Sequence, residues 1–430
     1  MSECCVKGQG LPVAIIGGGP VGLAAAARLA AKNEPFLLFE SAAAVAGNIR
    51  EWSHVRVFSP WRYNIDRAAR MLLEAEGWTA PDEEELPTGA ELVERYLEPL
   101  SRSPSIQPYL RFNAKVTAVG RKGLSKAVTK GRERLPFVLH VLQDGKRKVI
   151  EARAVIDASG TWGSPNPANS GGIWTEDELY VHDRIVYGIP DVSGRDRARY
   201  ANQKVLVVGS GHSAIQALLD LERLQAEEPA TRIVWVIRKP DVAAVYGGQE
   251  NDGLRGRGEL GIRMRKLVES GIAEVWTSFH IESFKEEGSG ITVTGERHGK
   301  TIRIEGIDEV ICSTGSRPDM DFLKEVRTDM DSAIESVSAL APLIDPNVHS
   351  CGTVRPHGEK ELRQPERDFY IVGSKSYGRA PTFLMATGYE QVRSVVAALT
   401  GDWDAASNVE LELPETGVCG VGAGGSGCCG

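Results

Sequence analysis

Residues 11–31, LPVAIIGGGPVGLAAAARLAA, join a short apolar run to an alanine-rich stretch through glycines at fixed spacing. Val13 to Ile16 has the all-apolar character of a strand buried on both faces, as in a parallel sheet. Gly17, Gly19 and Gly22 follow as G-x-G-x-x-G, and a helix is expected directly after them. Gly17 permits a tight turn. Gly19 lets the backbone approach a pyrophosphate, which sits on the helix N-terminus, and Gly22 lets helix and strand pack closely. Pro20 lies inside the same loop and is counted with the binding set. The next apolar run, PFLLFE, ends in Glu40. That acid falls about 20 residues after the motif, where a ribose hydroxyl needs an acceptor.

The pattern recurs. QKVLVVGSGHSAIQALLDL places a strand at Val205–Val208 before Gly209, Gly211 and Ala214, a G-x-G-x-x-A loop that includes Ser213. The following strand, in TRIVWVIRKP, ends in Arg238 and Lys239 rather than in an acid. A carboxylate there suits the free 2′-hydroxyl of NAD, whereas cations suit the 2′-phosphate of NADP. Two loops imply two dinucleotides. An acidic ribose ligand in the first and basic ligands in the second is the order expected for FAD and then NADPH.

The rest of the chain narrows the class. With 430 residues, 42% of them hydrophobic, two or three domains with sizeable cores are expected. The net charge is −8 and basic residues are scattered, so neither nucleic acid nor an anionic membrane is expected as a partner. The glycine-punctuated opening is too broken for a membrane span and lacks a signal-peptide core, which points to a cytoplasmic enzyme. Seven cysteines is an odd number without the spacing of a secreted disulfide framework.

Other segments carry a resemblance. RAVIDASGTWGSPNP (153–167), DEVICSTGSRPDM (308–320), DFYIVGSKSYGRAPTFLMATGYEQVRSVVAAL and HVRVFSPWRYNID (54–66) resemble, with the glycine loops, flavoproteins that have two dinucleotide-binding domains. Among these, the chain resembles the flavin-containing monooxygenase-like branch. Within it, FSPWRYNID, GSGHSA, LIDPNVHSCGTV and KSYGRAPTF resemble flavoproteins encoded beside bacterial arsenic-resistance genes.

The resemblance implies an α/β fold of two Rossmann-like three-layer domains, the NADPH domain inserted into a discontinuous FAD domain. The expected bounds are 11–165 and 311–400 for FAD, 201–310 for NADPH, and 411–430 for a flexible Cys/Gly-rich tail. It adds Ser159, Gly160, Thr314, Gly315, Gly373 and Ser374 to the cofactor-binding residues. It places Trp61, Arg62 and Asn64 beside the flavin, with Arg62 and Asn64 as catalytic candidates. The helix after APTF is expected to aim backbone N–H groups at the flavin. Two family features are missing. SGGIWTEDELYVHDRIVYGIPDV holds His182 and Tyr187 without the F-x-G-x-x-x-H spacing of flavin-containing monooxygenases, and no C-x-x-C or C-x-x-x-x-C pair is written for a disulfide reductase.

Local patterns complete the reading. TGAELVERYLEPLS is expected to be helical, and Asp144–Gly145 to turn a hairpin. DPNVHSCGTVRPHG (345–358) holds His349, Cys351 and His357 and is read as a substrate-facing loop, with Cys351 a catalytic candidate. Its spacing is poor for a metal, and none is expected. Cys312 lies in an apolar strand and reads as a small hydrophobe.

The C-terminal ETGVCGVGAGGSGCCG ends in the vicinal thiols Cys428 and Cys429. It resembles the mobile redox tails of large thioredoxin reductases and the vicinal cysteines of mercuric reductase. Soft thiolates bind soft thiophiles such as As(III) and Hg(II), so these two residues are candidates for substrate capture.

The leading expectation is an NADPH- and FAD-dependent monooxygenase. It would act through reduced flavin and O2 on a small soft nucleophile, with a trivalent arsenical as one candidate. The alternatives are a flavin-dependent thiol, disulfide or metalloid reductase working through the tail, and a non-catalytic metalloid-binding flavoprotein. A homodimer is compatible with each.

Overall fold

In the computed structural model, residues 10–346 and 357–410 are described. They fall into two units. The first takes residues 10–164, 317–346 and 357–410, and the second takes 165–316.

The first unit is built on a parallel five-stranded sheet. Its order is Phe369–Ile371, Ala154–Asp157, Val13–Ile16, Phe36–Phe39 and Leu110–Arg111. The runs VAII, AVID and FYI are buried at every position, as a sheet covered on both faces requires. Pro20–Ala31 and Met385–Leu399 are the long helices that cover this sheet's apolar surface.

A three-stranded antiparallel sheet, Ala114–Arg121, Phe137–Gln143 and Lys146–Ala152, belongs to the same unit. Its second turn has Asp144 at φ 48° and Gly145 at φ 75°, the two left-handed positions of a tight type I′ hairpin. The pattern of this stretch therefore gives the hairpin as expected. The first strand, Ala114–Arg121, was not expected.

The helical insertion begins at Thr88. The Thr88 hydroxyl accepts from the Glu91 N–H at 3.1 Å, and the Glu91 carboxylate accepts from the Thr88 N–H at 2.7 Å. Gly89–Leu92 and Glu98–Arg102 are α-helical, joined by a π-helical turn at Val93–Leu97. Pro99 accounts for the irregularity. It has no N–H to give the carbonyl four residues earlier, that of Arg95. The Trp78 indole N–H fills the gap, donating to the Arg95 carbonyl at 2.9 Å.

A buried ion cluster links distant parts of this unit. Glu366 accepts from Arg121 at 2.8 Å and from Arg132 at 2.7 Å, and all three side chains are 5% exposed or less. The Arg121 guanidinium also lies 3.7 Å from the Phe137 ring centroid.

The second unit repeats the plan. Its parallel sheet runs Ala273–Trp276, Arg232–Val236, Lys204–Val208, Glu309–Cys312 and Ile185–Tyr187. Helices His212–Glu227 and Arg255–Glu269 cover one part of its core. An antiparallel sheet of His280–Glu287, Gly290–Arg297 and Lys300–Ile307 covers another. The fold is thus mixed α/β with two Rossmann-like units. Among the described residues no helix is long and apolar enough to cross a membrane.

Candidate functional site

The first glycine loop leaves strand Val13–Ile16 at its carboxyl end. Gly17 has φ +102°, and a Cβ placed there would lie 2.6 Å from the Ala158 carbonyl oxygen. A Cβ on Gly22 would lie 2.0 Å from the Gly17 carbonyl oxygen. Gly19 is different. It is the N-cap of helix Pro20–Ala31, no side chain caps that helix, and a Cβ there would meet nothing within 4 Å. The first-turn N–H groups, with Pro20 at the start of the helix, therefore open onto free space at the positive end of the helix dipole. That is a cradle for an anion.

Glu40 stands beside the cradle and is buried. Its carboxylate accepts from the Gly18 N–H and from the Ala42 N–H, each at 2.8 Å. A carboxylate offers about four acceptor positions. Glu40 can therefore brace the loop and still take a ribose hydroxyl.

The floor of the loop comes from the neighbouring strands. Asp157 ends strand Ala154–Asp157. One of its oxygens accepts from the Ser159 N–H at 3.1 Å and from the Ser159 hydroxyl at 2.6 Å. Its other oxygen is 2.7 Å from the Lys375 ammonium, and both side chains are fully buried. Gly160 and Gly373 sit at φ +71° and +70°, and the Ser374 hydroxyl lies 3.5 Å from where a Gly160 Cβ would stand. The Gly373 N–H is held by the Gln391 side-chain oxygen at 2.7 Å.

The second loop has the same geometry. Gly209 has φ +128°, and a Cβ there would lie 2.4 Å from the Ser313 carbonyl oxygen. Gly211 is the uncapped N-cap of helix His212–Glu227, and a Cβ on it would meet nothing within 4 Å. Ser213 is half-buried and Ala214 fully buried at the start of that helix.

Arg238 and Lys239 are exposed. Arg238 reaches the Ser170 carbonyl at 3.4 Å and Lys239 the Ala244 carbonyl at 3.0 Å. Neither forms a salt bridge among the described residues, so both charges are available to an anion. The Thr314 hydroxyl donates to the Asn166 carbonyl at 2.9 Å, and Gly315, at φ +82°, accepts from the Asn166 N–H. In both loops an uncapped helix start stands behind a glycine with open space at its Cβ position, a geometry that fits the pyrophosphate of a dinucleotide.

The expected catalytic side chains have other partners. Asn64 is fully buried, and its amide closes its own loop, donating to the Ser59 and Pro60 carbonyls and accepting from the Ser59 hydroxyl. Arg62 pairs with Glu84 and lies 4.9 Å from the Tyr63 ring centroid. Trp61 is buried in the first unit's core.

His357 was expected in a substrate-facing loop. It is 2% exposed instead, with its Nε2 2.8 Å from the Gln391 amide nitrogen. Cys312 is buried as expected, its Sγ 3.2 Å from the Thr314 hydroxyl. Cys351, His349, Cys428, Cys429 and the tail from 411 onward lie outside the described residues.

Asp157 and Gln391 were missed. The signals were present: an aspartate closing an apolar strand, and a glutamine in a helix otherwise fit for burial. Neither signal names a partner.

Known proteins share this architecture. The bacillithiol disulfide reductase of Bacillus cereus superposes with a TM-score of 0.67 at 19% identity, over 91% of this chain and 99% of that one. The cadaverine monooxygenase of desferrioxamine biosynthesis from Erwinia amylovora, solved with FAD bound, gives 0.65 at 12% identity over 94% and 97%. Thioredoxin reductase from Lactococcus lactis gives 0.55 at 16% identity over 91% and 99%. These likenesses are in fold. No curated protein matches in sequence. Residues 14–350, which include both glycine loops, match the pyridine nucleotide-disulphide oxidoreductases, and the chain belongs to that family.

Proposed function

We propose that the protein is an NADPH- and FAD-dependent oxidoreductase, with FAD on the first unit, NADPH on the second, and O2 as the final acceptor. The observation that carries this reading is the pair of open cradles at Gly19 and Gly211, each ahead of an uncapped helix. Bound there, the flavin would supply a hydride acceptor for NADPH and reducing power for oxygen chemistry.

The chain's own part is binding and positioning. Gly17, Gly19, Pro20, Gly22 and Glu40 hold the pyrophosphate and ribose of FAD. Ser159, Gly160, Gly373 and Ser374 shape the floor. Gly209, Gly211, Ser213 and Ala214 hold the NADPH pyrophosphate, with Thr314 and Gly315 beside them, and Arg238 and Lys239 take the 2′-phosphate. Asn64 and Arg62 contribute by fixing the 58–66 segment. Cys351, Cys428 and Cys429 enter from the sequence alone, as thiols that would meet or capture a thiophilic substrate. The substrate class is a small soft nucleophile, a trivalent arsenical among them.

Cys312 itself offers no redox thiol to either route, because it is buried and inert. Burial pushes its thiol up to about 12. At pH 8 only about one molecule in ten thousand would carry the thiolate that reacts. Iodoacetamide at pH 8 should therefore leave Cys312 unmodified in the folded protein by peptide mass mapping. Rapid labelling would remove this argument.

The acceptor is tested by following NADPH oxidation with and without oxygen. Matched O2 uptake that depends on a soft nucleophile supports the proposal. Equal turnover under anaerobic conditions with a disulfide or metalloid would make the protein a reductase. Negligible turnover with every acceptor would make it a binding flavoprotein.

Nucleotide choice is tested at Arg238. Arg238→Ala should raise the NADPH dissociation constant roughly 10- to 100-fold, the loss of one charge-assisted contact, and leave NADH unchanged. Equal losses for both nucleotides would sink the NADP assignment.

A further inference from the structure

Lys375 is among the largest side chains that are fully buried. Its ammonium has three N–H groups and no acceptor. It lies 2.7 Å from an Asp157 oxygen, 3.2 Å from the Ser159 hydroxyl and 4.4 Å from the Phe322 ring centroid. Two hydrogen bonds and an aromatic face thus satisfy the cation. Asp157 is equally enclosed, since its second oxygen takes the Ser159 N–H and hydroxyl.

A closed pair of this kind is a weak device for stability. Desolvation of the two ions offsets their attraction, and apolar side chains of similar volume commonly serve the fold as well. What the pair does specifically is fix two turns. Asp157 and Ile371 are partners in neighbouring parallel strands, and the turns holding Ser159–Gly160 and Gly373–Tyr377 leave those strands on the same edge. The first of these turns is the surface against which Gly17 lies, 2.6 Å from a Gly17 Cβ position to the Ala158 oxygen.

We infer that Lys375 is a positioning residue for the dinucleotide of the first unit: paired with Asp157 and acting through Ser159, it locks both turns in the shape that receives FAD, without touching FAD itself. This rests on the reading that the first unit takes FAD.

The test separates positioning from stability. The flavin-free wild type, Lys375→Met and the double variant Lys375→Met/Asp157→Leu are compared by thermal unfolding and by FAD titration. Lys375→Met alone strands a buried carboxylate and should unfold at lower temperature. The double variant should recover the wild-type unfolding temperature yet bind FAD at least tenfold more weakly. If it binds FAD with the wild-type constant, the pair is structural only and the inference fails. Lys375→Gln, which keeps an N–H for Asp157 but has no charge, serves if the double variant does not unfold cooperatively. A wild-type FAD constant in that variant likewise overturns the inference. Failure of the underlying reading looks different: the wild type itself would take up no FAD.

Discussion

Gly19→Ala is expected to abolish most FAD binding while leaving the flavin-free protein as stable as wild type. The structure separates the two effects. A methyl group at Gly19 meets nothing within 4 Å, so the fold has no reason to resist it. It would instead fill the space in front of the first-turn N–H groups and push a pyrophosphate away from them. Losing about two charge-assisted hydrogen bonds, each about 1.5 kcal/mol, amounts to roughly a 100-fold weaker dissociation constant.

Gly22→Ala should behave differently. Its methyl group would overlap the Gly17 carbonyl oxygen at 2.0 Å, a backbone atom that cannot rotate away. Stability and FAD binding should fall together, with a fold penalty of at least about 1–3 kcal/mol, as for overpacked cores. Flavin fluorescence titration and thermal unfolding of the two variants decide the matter. If Gly19→Ala binds FAD normally, the cradle is not the pyrophosphate site.

Glu366→Ala should be the most damaging single change in the first unit's ion cluster. It would leave the Arg121 and Arg132 guanidinium groups buried without their carboxylate, at a cost of about 3–5 kcal/mol. The same cluster sets a pH dependence. Burial pushes the Glu366 carboxyl up, but the hydrogen bonds from Arg132 and Arg121 outweigh it and hold the carboxyl below the ordinary glutamate range. A carboxyl depressed in the folded state contributes stability that is complete above its unfolded value, about 4.3, and is lost as pH falls through the folded value. Denaturant unfolding between neutral pH and pH 3 should show this loss in the wild type. The alanine variant, already lacking the contribution, should show a shallower acid slope. Parallel slopes would show that the cluster does not control acid stability.

Local conformation was largely legible in the sequence. The strands at 13–16 and 204–208, the left-handed positions of Gly17 and Gly209 and the turn at 144–145 all follow from short-range pattern. Chirality and strand length restrict what a glycine loop or an Asp-Gly pair can do, whatever surrounds it. The interactions that hold the floor of the first cradle were not legible. Asp157 and Lys375 are 218 residues apart, and no local period relates them. The Gln391–His357 contact joins a helix to a segment read as a loop, so pattern alone suggested exposure. The partners of the Asn64 amide were hidden for a related reason. Sequence indicates a polar residue in a segment resembling one beside a flavin, but not that the amide is consumed by its own loop.

The split first unit has a consequence for biosynthesis. Strand Ala154–Asp157 pairs on one side with Val13–Ile16, made before it, and on the other with Phe369–Ile371, made long after. At synthesis rates of roughly 5–20 residues per second, the 218 residues between Asp157 and Lys375 take on the order of 10–40 s to appear. Through that interval the nascent sheet has an unpaired apolar edge, while residues 165–316, contiguous in the chain, can already complete their own unit. A ribosome-bound intermediate with its second unit formed and its first unit open would therefore need chaperone protection. Release of the last long helix, Met385–Leu399, would be the event that closes it.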